Sequence, residues 1–125
     1  MSTGPALVGT EGFVQGEEYP LALGSTVVVG RSRGCEISLQ RCKAWLALDE
    51  DQRNAEQDFK TVSRKHARIV CRNEAEIEVE DLSSNGTFID GERIERIVIT
   101  DLREHTHELL LGTREKFRLE WRPED

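Results

Sequence analysis

The chain has 125 residues, and its 17 basic and 24 acidic side chains give a formal net charge of −7 at pH 7. This length suits one domain, and a hydrophobic content of 37% without glycine is enough for a core, which excludes a wholly disordered chain. The acidic balance disfavours a general nucleic-acid binder, and no apolar run approaches the ~20 residues that span a bilayer. Three cysteines leave one unpaired in any disulfide scheme, which favours a reducing, cytoplasmic location.

The first half of the chain contains three candidate strands, recognised by alternating or β-branched residues. One face of the first strand carries Tyr19, Leu21 and Leu23. Residues 26–29 form a short β-branched run, and residues 67–71 form the third candidate. Apolar residues that alternate with polar ones are typical of antiparallel strands with one buried face.

The second half continues the same alternation. Ile77 and Val79 point to one side of a strand, and the acidic run Glu74–Asp81 that contains them is expected to form a solvated face. Hairpin turns are indicated at Asn85-Gly86 and Asp90-Gly91. A last strand alternates through Phe117, Leu119 and Trp121. About ten closely spaced strands predict an all-β fold, a two-sheet β-sandwich.

One long segment, residues 40–62, interrupts this pattern with more than twenty residues that carry no strand signal. Its content of Ala, Leu, Glu and Gln favours helix, so the segment is either a short helix or a mobile loop. Asp49, with Gln52 three positions later, is suited to begin such a helix as a capping box. The apolar residues expected to pack a helix onto the sandwich are Trp45, Leu46 and Phe59.

Three short polar motifs lie where candidate strands end, in segments 30–32, 63–66 and 83–87. Such loops at one end of a rigid sandwich are common places for binding sites. Guanidinium forks suit phosphate, and hydroxyl and amide groups add directed hydrogen bonds. The motifs offer these groups without an activated nucleophile or a set of metal ligands, so a binding site with no catalytic residue, cofactor or metal is predicted. The candidate side chains are Arg31, Ser63, Arg64, Ser84 and Asn85.

The same motifs resemble those of the forkhead-associated (FHA) domain, and they occur in the family's order. The resemblance covers roughly residues 5–121 apart from the 40–62 insert, and it includes a late Leu-Leu-Leu-Gly turn at 109–112. It predicts that residues 1–125 form a single domain. It also implies a β-sandwich of eleven strands that binds phosphothreonine in partner proteins.

The resemblance further implies a role for each candidate residue. The positions of Arg31 and Ser63 contact the phosphate directly, and those of Arg64 and Ser84 add further phosphate contacts. The position of Asn85 hydrogen-bonds the peptide backbone beside the phosphothreonine. Three residues are expected to support the loops structurally: Gly30, His66 and Gly86.

The distribution of charge agrees with an anion-binding site. Residues 31–72 contain ten basic and six acidic side chains, a net charge of +4, which leaves −11 for the rest of the chain. A locally basic region in an acidic chain favours binding of a small anion while it still disfavours nucleic acid.

Two functions follow as expectations. The first is a cytoplasmic phosphothreonine-dependent binding module of Ser/Thr-kinase signalling, which is not an enzyme and whose partners are phosphothreonine-containing proteins rather than nucleic acid or membrane. The alternative is a phospho-independent interaction or dimerisation domain whose working surface is the 40–62 insert with Trp45, Leu46 and Phe59. The sequence leaves the oligomeric state open.

Overall fold

A computed structural model describes residues 4–73 and 76–122, and in this part of the chain eleven strands form two sheets. In chain order the strands are β1 (Gly4–Glu11), β2 (Glu18–Pro20), β3 (Thr26–Gly30), β4 (Ile37–Ser38), β5 (Ala67–Asn73), β6 (Glu76–Asp81), β7 (Thr87–Ile89), β8 (Glu92–Ile94), β9 (Arg96–Ile99), β10 (His107–Leu111) and β11 (Glu115–Arg122). The first sheet has the order β2-β1-β11-β10-β7-β8, and the second has the order β4-β3-β5-β6-β9. All neighbours pair antiparallel except β3 and β4.

The two sheets enclose a continuous apolar core, as the alternating sequence predicted. Ile77 and Val79 on β6 are fully buried, and so are Phe117 and Leu119 on β11. Because these residues share one face of their strands, the core follows directly from the period of two in the sequence. The prediction of an all-β sandwich of about eleven strands is confirmed.

Three details of the strand prediction are wrong. Asn85-Gly86 joins β6 of the second sheet to β7 of the first, so it does not form the predicted hairpin turn. Leu21 and Leu23 both lie beyond the end of β2, so they do not share a strand face with Tyr19; Leu21 is buried, but Leu23 is 42% exposed. Glu78 is buried rather than solvated, because Arg72 on β5 and Arg96 on β9 flank it and both bond its carboxylate. These hydrogen bonds lower the pKa of Glu78 to about 2. The predicted acidic face also includes Glu74, which lies outside the described residues.

The insert is helical, which confirms the helix and not the mobile loop. It contains α1 (Lys43–Leu46), α2 (Glu50–Ala55) and a 3-10 turn at Phe59–Thr61, and two further 3-10 turns lie at Gly12–Val14 and Leu39–Arg41. Asp49 and Gln52 form the predicted capping box: the Gln52 amide donates to Asp49 Oδ1 at 2.8 Å, and the Asp49 amide donates to Gln52 Oε1 at 2.9 Å. Within the described residues, no helix is both long and apolar enough to cross a membrane.

An aromatic cluster fixes the insert to the sandwich. Trp45 stacks on Phe59 with ring centroids 3.7 Å apart, and Phe13 meets both rings edge-on at 5.2 and 5.6 Å. Trp45 and Phe59 are buried as predicted, but Leu46 is 56% exposed, so the prediction that it packs is wrong. The helix α1 is a single turn, and Trp45 lies on its face toward the core. Leu46, the next residue, therefore points to solvent.

Arg114 ties the insert to the start of β11. Its guanidinium bonds Glu56 at 2.7 Å, lies 3.7 Å from the Asp58 carboxylate and packs 5.0 Å from the centre of the Phe13 ring. The neighbouring Glu115 is completely buried, and its carboxylate accepts a hydrogen bond from the Val14 amide at 3.2 Å. The insert is therefore part of the folded body, and its position is set by apolar and charged contacts together.

The burial difference between Phe59 and Leu46 gives a matched test of this packing. Phe59→Ala should lower the free energy of unfolding by about 3–5 kcal/mol, because a buried aromatic ring leaves a cavity. Leu46→Ala should change it by less than about 0.5 kcal/mol, because the side chain is exposed. Urea unfolding followed by circular dichroism measures both values, and equal losses in the two variants would contradict the described packing.

Candidate functional site

The first two motifs meet through backbone hydrogen bonds beyond the end of β3. The Arg31 amide donates to the Ser63 carbonyl and the Ser32 amide donates to the Arg64 carbonyl, each at 3.0 Å. These bonds place segment 30–32, which leaves β3, against the segment that enters β5. Arg31 and Ser63, which are far apart in the sequence, therefore lie side by side just beyond the end of the second sheet.

Gly30 makes this approach feasible. A Cβ atom at residue 30 would lie 2.2 Å from the Arg64 carbonyl oxygen and 2.9 Å from that of Ser63. Since no side chain fits at such distances, glycine is required for close approach of the two backbones rather than for an unusual φ angle. This is the structural role of Gly30 in the site.

His66 joins these two segments to the third motif. Its ring is completely buried, and its Nδ1 accepts a hydrogen bond from the Ser63 amide at 3.0 Å. The proton therefore lies on Nε2, which donates to the Gly86 carbonyl at 2.8 Å. Ser63 precedes β5 of the second sheet and Gly86 precedes β7 of the first, so one imidazole connects loops that belong to different sheets. Burial lowers the pKa of His66 and keeps the ring neutral.

The third loop is shaped by a carboxylate that the sequence motifs did not single out. Asp81 Oδ1 accepts hydrogen bonds from the Ser83 amide at 3.0 Å, the Ser83 hydroxyl at 2.5 Å and the Thr87 hydroxyl at 2.8 Å. Burial opposes the charge, but these hydrogen bonds outweigh it and lower the pKa of Asp81. The Ser83 hydroxyl also accepts from the amide of Gly86, whose φ of +105° favours glycine. An Asp two residues before a Ser, a spacing that suits an Asx turn, is the sequence signal from which this turn could have been predicted.

The candidate side chains converge on one surface. The Ser63 hydroxyl accepts a hydrogen bond from the Ser84 amide at 3.4 Å, which brings the second and third motifs into contact. Arg31 and Ser63 are half-buried, whereas Arg64, Ser84 and Asn85 are exposed. The structure thus brings all five predicted binding residues to one end of the sandwich.

The end of the insert orients two of these side chains. Arg31 Nε donates to the Val62 carbonyl at 2.6 Å, and Asn85 Nδ2 donates to the Thr61 carbonyl at 2.9 Å. The Arg31 guanidinium keeps both terminal nitrogens for a ligand, and the Asn85 amide keeps its oxygen. Sequence analysis missed Thr61 and Val62 because a backbone carbonyl that accepts a hydrogen bond leaves no residue signature.

The charges at this surface are positive. In the described part of the chain, Arg31, Arg64 and Lys65 have no carboxylate within ion-pair distance, whereas Arg68 and Arg72 on the adjoining strand β5 pair with Glu80 and Glu78. Two guanidinium groups, two hydroxyls and one amide are chemical groups that can hydrogen-bond an anion. Because the Ser63 amide occupies His66 Nδ1, the imidazole does not act as a base toward the Ser63 hydroxyl.

Comparisons with known proteins agree with this fold. The sequence model of the FHA domain matches residues 27–112. The FHA domain of CT664 protein from Chlamydia trachomatis is 26% identical, with a TM-score of 0.66 over 94% of this chain and 96% of its own. A domain solved for the analysis of phosphothreonine-dependent FHA domain interactions is 20% identical, with a TM-score of 0.66 over 98% of this chain and 100% of its own. Mycobacterium tuberculosis EmbR, solved in complex with a low affinity phosphopeptide, is 22% identical, with a TM-score of 0.66 over 100% of this chain and 26% of its own. None of the curated proteins matches the chain.

Gly30→Ala tests the close approach of the two backbones. We expect this variant to lose about 1–3 kcal/mol of unfolding free energy or more, because the new methyl group overlaps the Arg64 carbonyl. Gly34→Ala is the matched control, since the nearest atom to its Cβ is Ser32 Oγ at 3.6 Å, and its stability should stay within about 1 kcal/mol of wild type. Similar stability of the two variants in urea unfolding would contradict the required contact.

The lowered pKa of His66 predicts a pH dependence with a definite sign. Below pH ~6.5 the unfolded chain binds a proton at His66 that the folded chain does not, so His66 makes stability fall as the pH falls. In an NMR titration the His66 ring should change protonation below pH ~6.5.

His107 is the internal control for this titration. Burial opposes its charge, but hydrogen bonds with Asp90 at 2.6 Å and Asp101 at 2.7 Å outweigh it and raise its pKa. Its ring should therefore titrate above pH ~6.5, and its contribution to stability is lost as the pH rises through that folded-state pKa. A His66 midpoint at or above that of His107 would show that the His66 ring is not held neutral by burial.

Proposed function

Because the chain belongs to the forkhead-associated (FHA) domain family, we propose that it is a phosphothreonine-binding module that recognises phosphorylated partner proteins. The family consists of binding modules rather than enzymes. A similar domain takes part in phosphothreonine-dependent interactions, and the structurally similar EmbR was solved with a phosphopeptide. The observation that carries the proposal is the convergence of three loops from two sheets, through His66. Their surface carries two arginines, Arg31 and Arg64, that have no carboxylate of the described residues within ion-pair distance.

The proposed mechanism is capture of a dianionic phosphate by fixed donors. A phosphothreonine carries a charge near −2 at neutral pH and has three strong acceptor oxygens. The guanidinium groups of Arg31 and Arg64 supply most of the opposing charge, and the hydroxyls of Ser63 and Ser84 supply directed hydrogen bonds. Because Arg31 Nε is already bonded to Val62, its terminal N–H groups are oriented before the ligand arrives.

Asn85 is proposed to bind the peptide backbone beside the phosphothreonine. Its Nδ2 donates to the Thr61 carbonyl, which fixes the plane of the amide. The Oδ1 atom then accepts from a peptide N–H group, and the second Nδ2 proton donates to a peptide carbonyl. Recognition of the backbone adds affinity without a requirement for a particular neighbouring side chain.

The proposal extends to the setting of the module. Residues 1–125 form a single binding domain with a core of about 5–121 and an insert at 40–62, and the module acts in a cytoplasmic Ser/Thr-kinase pathway. The reducing compartment is supported by three cysteines that are all free and buried. No cofactor or metal takes part in this mechanism.

The alternative of a phospho-independent surface on the insert is not favoured by the packing. Trp45 is 9% exposed and Phe59 is 3% exposed, and both contact the ring of Phe13, which packs against the core. Of the three residues assigned to that surface, only Leu46 reaches solvent. Leu46→Asp should therefore leave the oligomeric state, measured by light scattering, unchanged.

Arg31→Ala provides the direct test of phosphate binding. Hydrogen bonds to charged groups contribute roughly 1.5–3 kcal/mol each, so the variant should bind a phosphothreonine peptide more than ~10-fold more weakly than wild type. Calorimetry with the phosphorylated peptide and its unphosphorylated twin measures this difference.

Arg118→Ala is the matched control, because it also removes one arginine but lies on β11, paired with Glu120, away from the three loops. It should change the affinity by less than about twofold, as expected for an exposed ion pair outside the site. Equal affinity of wild type for both peptides would refute the proposed function.

A further inference from the structure

Arg33 lies beside the proposed phosphate site, and the side chain of Gln40 hydrogen-bonds both Arg33 and Arg31. The Nε2 of Gln40 donates to the Arg31 carbonyl at 2.7 Å, and its Oε1 accepts from Arg33 Nε at 3.2 Å. The side-chain amide of Gln40 therefore hydrogen-bonds both arginines. The Arg33 bond uses only Nε, so both terminal nitrogens of its exposed guanidinium remain as donors.

The loop that carries Arg33 is held by several independent contacts. The Ser32 hydroxyl accepts from the Gly34 amide at 3.2 Å, and the Ser32 carbonyl accepts from the Cys35 amide at 3.1 Å. The Cys35 thiol donates to the Arg64 carbonyl at 3.1 Å, the same oxygen that accepts from the Ser32 amide. The loop thus wraps around the backbone of Arg64, a residue of the phosphate site.

Arg41 supports this loop from behind. Its guanidinium donates to the Arg33 and Cys35 carbonyls at 2.7 Å and to the Glu36 carbonyl at 2.9 Å. A guanidinium that holds three carbonyls fixes the backbone that presents Arg33. The position of Arg33 is therefore determined by the fold and is not that of a side chain on a free loop.

The charge of Arg33 has no partner within the described residues. Elsewhere in the described chain, the exposed residues Arg68, Arg72 and Arg118 each pair with a carboxylate. The chain carries 24 acidic residues, so carboxylates are abundant, yet none of those in residues 4–73 and 76–122 lies within ion-pair distance of Arg33 or Arg31. One phosphate is already matched by Arg31 and Arg64, which leaves Arg33 as an additional cation at the edge of the site.

We propose that Arg33 forms a second anion subsite, which binds an acidic or phosphorylated residue of the same peptide close to the phosphothreonine. This inference rests on the proposed function, since Arg33 is assigned to the same ligand. The guanidinium fork donates hydrogen bonds to a carboxylate or to a phosphate with the same geometry. The module then selects peptides with a negative charge at one defined distance from the phosphothreonine.

The experiment uses peptides with one phosphothreonine in an alanine background. A single Glu or phosphoserine is moved through the flanking positions, and each affinity is divided by that of the neutral peptide. At one position, wild type should gain about 2- to 5-fold from Glu and about 10-fold from phosphoserine. In Arg33→Gln both gains should fall below about twofold, whereas Lys43→Gln, which removes a charge on α1, should retain them.

Two outcomes would overturn the inference: no position gains from an added charge, or the gain persists in Arg33→Gln. Both are distinguishable from failure of the proposed function, because that failure appears as binding that ignores the phosphothreonine and is unaffected by Arg31→Ala. If phosphoserine gives the gain and Glu does not, the subsite is specific for a second phosphate, and if both do, it accepts any anionic residue.

Discussion

The buried imidazole of His66 holds together two loops that the two sheets would otherwise present independently. Its Nδ1 accepts from the Ser63 amide and its Nε2 donates to the Gly86 carbonyl, so both nitrogens are used within the fold. The ring must be neutral for this pair of bonds, and burial lowers its pKa accordingly. The distance between the Ser63 hydroxyl and the Ser84 amide follows from this bridge, and so does the shape of the surface proposed to receive phosphate.

The insert contributes to the site as well as to the core. Its aromatic residues Trp45 and Phe59 pack on Phe13, and Arg114 connects its acidic residues to β11. Its last carbonyls, at Thr61 and Val62, accept hydrogen bonds from Asn85 and Arg31. Segment 40–62 therefore links the interior of the sandwich to two side chains of the proposed binding surface. Changes in its packing should alter the positions of these two side chains.

The sequence predicts a structural feature correctly where a local pattern determines it. It does not predict a feature that depends on contacts with residues of other strands. The period of two in β6 and β11 predicts the core, and the Asp49–Gln52 spacing predicts the start of α2. Glu78 alternates like a surface residue, but two arginines from adjacent strands cover it. The order of the strands in the sheet cannot be deduced from a single sequence. The site residues come from recognisable motifs, whereas the contacts that orient Arg31 and Asn85 use backbone carbonyls, which carry no comparable pattern.

The proposed phosphothreonine site is built from three loops that belong to two sheets. It can be tested by backbone NMR shift mapping of the ¹⁵N-labelled chain, titrated with a phosphothreonine peptide. We expect the largest amide shifts within segments 30–33, 63–66 and 83–87, and we expect the unphosphorylated peptide at the same concentration to produce none of them. Shifts confined to α1 and α2 or to the outer strand faces, with segments 30–33 and 63–66 unchanged, would contradict it.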